Sequence, residues 1–182
     1  MKNKNALIAL IIVVVLVILF GVVLFFFLRE NKGNREQYEK REIAITIEGQ
    51  KTSYTFEDLS NLSAPVEFDA VYKPSNKQPI DKSYTGIELR DLLEKLGVDI
   101  EAIKQVTFVA KDGFEKVYRA EDVRKEGNVY IANKVNGKPF NEGIDPLAYN
   151  KEQEDGGPFV VIKAEDKFSQ NRVKMLVEII VE

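Results

Sequence analysis

The sequence predicts an α+β domain, rich in β-strands, carried behind one N-terminal transmembrane helix. Two observations predict it. Residues Ala6 to Leu28 are 23 consecutive residues without a charge, an amide or a hydroxyl. From Glu36 onward, 147 residues carry short apolar patterns broken by turn-forming Gly, Asn and Asp, with two or three short helical patterns among them. Strands and helices do not alternate in regular βαβ order, so a mixed α+β domain fits better than a parallel doubly wound sheet. A stretch of that length suits one domain and buries a real core.

At about 1.5 Å per helical residue the apolar run reaches roughly 34 Å, enough for a bilayer core of about 30 Å with some tilt. A cleaved signal peptide has a shorter apolar stretch and a small-residue cleavage site. This run ends in Phe25-Phe26-Phe27-Leu28 instead. A buried core helix needs a polar face, and a uniform Ile/Val/Leu/Phe cylinder has none. The reading is therefore an uncleaved signal-anchor at 6–28, after a short tail at 1–5 and ahead of a charged stalk at 29–42. Arg29, Lys32, Arg35, Lys40 and Arg41 outnumber Lys2 and Lys4, which by itself favours a cytoplasmic domain. Glu30, Glu36, Glu39 and Glu42 dilute that bias, and the residues leave the topology open.

The domain, 43–182, opens with Ile43, Ile45 and Ile47 alternating with Ala44, Thr46 and Glu48, a half-buried strand that turns at Glu48-Gly49-Gln50. Thr55 to Leu62 predicts a short helix with Thr55 as N-cap and Asp58 three residues on. Val66 to Tyr72 predicts a strand and Lys73 to Ser83 a loop. Thr85-Gly86-Ile87-Glu88 has the spacing of a capping box ahead of Leu89, Leu92, Leu93 and Leu96, and Gly97 supplies the stop. Val106 to Ala110 and Glu115 to Arg119 form a hairpin about Asp112-Gly113, and Val129 to Val135 runs into a second tight turn at Asn136-Gly137. Asn141 to Gly156 is an acidic loop. Phe159 to Lys163 and Val173 to Val181 close the chain as strands.

Composition removes whole classes of chemistry. The chain has no His and no Cys. That excludes Ser-His-Asp and Cys-His nucleophile systems, Cys/His zinc sites, Cys-held iron–sulfur clusters, His-ligated haem and disulfides. The whole chain carries 26 Lys and Arg against 29 Asp and Glu. Past Arg35 the balance is 21 basic to 28 acidic, a net −7 that repels phosphate backbones, so no nucleic-acid partner is expected. Asp145, Glu152, Glu154 and Asp155 offer oxygen ligands but lack the spacing of a calcium loop, and read as a solvated loop. Gly156-Gly157 would let a backbone approach a phosphate, yet a turn ahead of the next strand accounts for the pair.

Several segments, in order, resemble the oxidoreductase molybdopterin-binding domain, the sulfite-oxidase-like fold. They are Tyr84-Thr85-Gly86-Ile87-Glu88-Leu89-Arg90-Asp91-Leu92-Leu93 running to Gly97, Phe108-Val109-Ala110-Lys111-Asp112-Gly113-Phe114, Asn136-Gly137-Lys138-Pro139-Phe140, Gly156-Gly157-Pro158-Phe159 and Val173-Lys174-Met175-Leu176. The ordered conjunction, from Ile43 to Val181, carries the resemblance. It implies a molybdenum held by a pterin dithiolene and one Cys thiolate, a soft donor suited to that metal. By order that Cys falls in or just after Val66 to Tyr72, where this chain has none. The family's Arg after the Gly-Gly-Pro turn is also missing, with Val160 and Val161 in its place. Lys174 matches a Lys that lies near the pterin phosphate in the family's enzymes.

The resemblance with its departures implies a membrane-anchored, extracytoplasmic, bacterial module on a molybdopterin-oxidoreductase fold that has lost the metal ligand. No cofactor is expected, and the domain acts on a small ligand or an envelope protein partner. Lys174, Gly156 and Gly157 are the candidate cofactor-side residues. The alternative is a molybdopterin-dependent oxidoreductase or electron-transfer subunit in which Asp69 or Tyr72 replaces the thiolate. A structural or assembly subunit of an envelope complex is the third class.

Overall fold

A computed structural model describes residues 2–74, 78–142 and 154–182. The chain divides into two compact units, Met1–Gly33 and Asn34–Glu182. The first is most of a single helix, α1 (Lys2–Glu39). Its segment Ile8–Phe26 is long and apolar enough, by length and composition, to cross a membrane.

The helix does not stop at the end of the apolar run. The segment 29–42, expected as a stalk, stays helical to Glu39, and its last turns belong to the second unit. Asn34 and Tyr38 stand four residues apart on one helical face and are both buried. The Tyr38 hydroxyl lies 2.7 Å from the Glu142 carbonyl and 3.0 Å from that of Gly157, while Gln37 donates to Ser53 Oγ at 2.8 Å. These contacts hold in helical form a segment whose composition alone reads as solvated. Arg41, at φ 56°, ends the helix and turns the chain into the first strand.

Two sheets form the second unit. The first has the order β2-β1-β10-β5-β6, from strands β1 (Glu42–Ile47), β2 (Gln50–Thr55), β5 (Gln105–Ala110), β6 (Glu115–Arg119) and β10 (Leu176–Val181). Within it β1 and β10 pair in parallel, and the other neighbouring strands pair antiparallel. The second has the order β3-β4-β7-β8, from β3 (Val66–Tyr72), β4 (Ile80–Glu88), β7 (Val129–Val135) and β8 (Lys138–Pro139), with β9 (Val160–Lys163) paired to β7. Helices α2 (Phe56–Leu62), α3 (Leu89–Lys95) and α4 (Ala120–Arg124) are short connectors. This is the β-rich α+β architecture the sequence predicts.

The main core joins Ile43 and Ile45 of β1, Leu59 of α2, Leu92 and Leu93 of α3, Phe108 of β5, Ile131 of β7 and Ile179 of β10. A second cluster gathers Ala70, Tyr84, Ala132, Val135, Phe140, Val160 and Ile162. Along β9, Val161 belongs to the first cluster and its neighbours Val160 and Ile162 to the second, so apolar packing covers both faces of that strand. Each such fully buried aliphatic side chain is worth about 1.5–3 kcal/mol of transfer free energy.

Two local expectations are corrected. Thr55 and Asp58 form the full capping box predicted for α2, but Thr85 to Glu88 do not cap α3. They are strand, as are Ile80 to Ser83 in the expected loop, because β4 pairs along its length with β3 and β7. Glu88, the residue before α3, instead accepts the Gly127 N–H at 2.7 Å. The polar strand β2 has no counterpart in the pattern. It is an edge strand zipped to β1 through a turn with Glu48 at φ 51° and Gly49 at φ 78°, the geometry of a tight hairpin.

Candidate functional site

The resemblance points to the end of β3, to Gly156-Gly157 and to Lys174, and the fold brings the last two together. The Met175 N–H donates to the Gly156 carbonyl at 2.7 Å. Lys174 is half-buried, and a Cβ added to Gly156 would meet the Lys174 stem at 2.7 to 3.0 Å. Gly156 is at φ 125°, so both backbone conformation and space demand glycine there. At Gly157 a Cβ would press on Phe140, 2.9 Å from its carbonyl oxygen. The N–H groups of Gly156 and Gly157 both donate to the Asn141 carbonyl, at 3.0 and 2.9 Å. The pair is therefore a close-packing turn whose donors are already engaged. Lys174 itself precedes β10 and is not a strand residue, since Met175 takes φ 53° before the ladder begins.

Asp69 and Tyr72 do not converge. Three residues apart on β3, they point to opposite faces of the sheet. Asp69 is exposed beside Asp81 and Ser83. Tyr72 lies on the face shared with Lys82 and Tyr84, and at this face the structure shows what the sequence did not.

A closed ring of polar side chains sits there. Arg172 and Glu154 each retain only 4% exposure. Arg172 Nη1 donates to the Tyr84 hydroxyl at 2.7 Å and to Glu154 Oε1 at 2.8 Å. Tyr84 in turn donates to Glu154 Oε2 at 2.9 Å, and Lys82 Nζ reaches the same oxygen at 3.0 Å. Arg172 Nη2 donates to the Val71 carbonyl of β3 at 3.0 Å. Its guanidinium lies 5.0 Å from the Tyr72 ring centre and 4.8 Å from that of Tyr84, and Lys82 stands 4.5 Å over Tyr72. Phe68 stacks on Tyr84 at 5.6 Å and closes the aromatic wall. Burial and the Glu154 charge raise the Tyr72 and Tyr84 hydroxyls above the usual tyrosine range, so both stay protonated at neutral pH.

Sequence reading placed Glu154 in a solvated loop, and the structure corrects that, since Glu154 is buried in an ion pair. Asp145 and Glu152 lie outside the described residues. Arg172 went unread because its partners stand 18, 88 and 101 residues away in the chain. The one available signal was a cation directly ahead of the apolar closing run. Glu154 lies two residues before Gly156 and Arg172 two before Lys174, so this ring occupies the neighbourhood to which the resemblance points.

The residues do not fit a molybdenum centre. No thiolate or imidazole exists in the chain, and the described residues contain no group of three Asp or Glu arranged to hold a metal. The polar groups that face the end of β3 are bonded to one another, apart from Arg172 Nε, which is buried without a partner.

Residues 33–144 match the family described as the oxidoreductase molybdopterin binding domain. Among solved structures, the sulfane dehydrogenase SoxCD from Paracoccus pantotrophus is similar in fold, with a TM-score of 0.59 and 18% identity over 79% of this chain. This chain spans only 38% of that structure's chain. No curated protein matches the sequence.

Proposed function

This chain belongs to the oxidoreductase molybdopterin binding domain family, and from that premise we propose that it is a membrane-anchored member that works by binding a ligand or partner without metal chemistry. The observation that carries the reading is the Arg172–Tyr84–Glu154 ring. Its donors and acceptors are bonded to each other at 2.7 to 2.9 Å beside the strand where the resemblance expects a thiolate. A soft metal finds no soft donor there, and a hard cation meets two buried or half-buried cations, Arg172 and Lys82.

The ring holds β3, β4 and the segments around Glu154 and Arg172 in one arrangement, and so fixes the shape of the surface built on them. Ile8–Phe26 serves as the anchor, with the domain on the extracytoplasmic side. The length of the apolar segment and its lack of a small-residue cleavage site support the anchor.

Elemental analysis tests the proposal. The full chain, expressed in a host that makes molybdenum cofactor, is purified and assayed for molybdenum, with mass spectrometry for released pterin. Neither is expected above background. Stoichiometric molybdenum with pterin would overturn the reading and require an oxygen ligand from this chain.

A further inference from the structure

A groove of about 480 Å³ opens beside β7, and Arg172, Glu154, Tyr84, Lys82 and Tyr72 do not line it. Its size is that of a small-ligand site. Phe56 and Phe159 stack face to face at 5.4 Å with their planes 10° apart, and with Pro139 and Pro158 they give the groove an apolar lining. Lys40 and Lys134 stand on its rim, exposed, and neither has an ion partner among the described residues. Arg41 and the exposed Glu57 are also on the rim; Glu142 neutralises Arg41 at 2.7 Å, and the two lysines outnumber the remaining Glu57 carboxylate.

Asn133 supplies the third element. Thr85 pairs with Lys134 and Gly86 with Ala132, so Asn133 is the extra residue of a bulge between β4 and β7. Bulges re-aim side chains and recur next to sites. Asn133 lines the groove, and its Oδ1 is buried with no hydrogen-bond partner. Turning the carboxamide so that this oxygen faces the groove sacrifices no hydrogen bond at Oδ1, and an N–H donor there would satisfy it.

We propose that this groove binds an N-acylated apolar residue with a free carboxylate, the chemistry shared by a peptide's C-terminal residue and a free N-acyl amino acid. The apolar side chain lies on the Phe56–Phe159 stack, the acyl N–H donates to Asn133 Oδ1, and the carboxylate faces Lys40 and Lys134. This deepens the binding reading above and rests on its claim that the domain works by binding; molybdenum content is a separate readout.

The test titrates N-acetyl-L-phenylalanine and its carboxamide, N-acetyl-L-phenylalaninamide, into the full chain in detergent, followed by calorimetry. The acid is expected to bind saturably and the carboxamide at least tenfold more weakly. The exposed pair Lys40→Gln and Lys134→Gln should together weaken the acid at least tenfold, and Asn133→Leu at least fivefold. An N-acetylated tetrapeptide ending in Phe that binds more tightly than the single residue identifies a peptide terminus as the source. Equal affinity identifies the free N-acyl amino acid. No saturation by the acid, a carboxamide that binds as tightly, or an unchanged lysine variant with native circular dichroism would each overturn the proposal. The lysine variant keeps the test sound where Asn133→Leu fails to fold, because both lysines are solvent-exposed. A metal-free chain that ignores the acid sinks this inference alone, whereas a molybdenum-loaded chain that binds it sinks only the metal-free reading.

Discussion

Burying the Arg172 guanidinium forfeits several kcal/mol of hydration unless other groups take the place of water. Glu154, Tyr84 and the Val71 carbonyl do so through three hydrogen bonds, and a fourth, from Tyr84 to Glu154, ties two of these partners to each other. The arrangement is conditional, since each charge is tolerable only while the other is present. Replacing Glu154 alone by Leu takes the carboxylate away from the buried Arg172 guanidinium and is expected to cost about 3–5 kcal/mol. Replacing both, as Glu154→Leu with Arg172→Met, removes that orphaned guanidinium and should recover most of the loss, since Lys82 keeps some contact with water. Urea unfolding midpoints of the two variants decide the matter. A double variant as unstable as the single one would mean that the ring's geometry, and not the pairing of its charges, is what stability depends on.

At the level of elements, β4 decides how the second sheet is built. It pairs with β3 on one side and β7 on the other, and at Gly86 the strands approach so closely that an added Cβ would sit 2.7 Å from both Ala132 Cα and the Ile131 carbonyl oxygen. Both are backbone, which cannot swing aside as a side chain can. Gly86→Ala should therefore force β4 and β7 apart and destabilise the fold by about 2 kcal/mol or more; thermal unfolding of the variant measures it, and an unchanged melting temperature would show that β7 yields at its bulge. The same residue explains a misreading. Thr85-Gly86-Ile87-Glu88 carries a capping-box spacing, but a short local motif is worth about a kcal/mol and loses to two flanking ladders. Where local and tertiary preferences agree, as at Thr55-Asp58, Asp112-Gly113 and Asn136-Gly137, the sequence showed the element. It could not show β2, whose polar residues form a strand only because β1 is beside them, or the helical turn about Tyr38, which depends on the carbonyls of Glu142 and Gly157. The site was legible to the same extent. The neighbourhood of Gly156 and Lys174 could be read from motif order, while the Arg172–Glu154 pair required the fold.

Across the whole molecule, tyrosine hydroxyls tie distant parts together, and their protonation gives a test of the assembled domain. Tyr38 holds the last turn of α1, Tyr84 belongs to the ionic ring, and Tyr118 donates to the Asn171 carbonyl at 3.0 Å. Burial is the main cause that pushes all three upward, Tyr38 to about 12, with nearby carboxylates adding to it; Tyr72 and Tyr130 shift the same way. In the unfolded chain each hydroxyl ionises near 10. Below that value both states hold the proton and the stability of the fold is fully present. As the pH climbs past 10, the unfolded chain releases protons that the folded chain retains, so stability falls and continues to fall through the folded values. Absorbance at 295 nm, recorded between pH 8 and 13 alongside circular dichroism, should therefore show the raised hydroxyls ionising together with loss of structure, against a urea-unfolded reference in which all seven tyrosines titrate near 10. Seven hydroxyls ionising reversibly near pH 10 with native circular dichroism would mean that these contacts open in solution, and that neither the last turn of α1 nor the ionic ring is held in the way described.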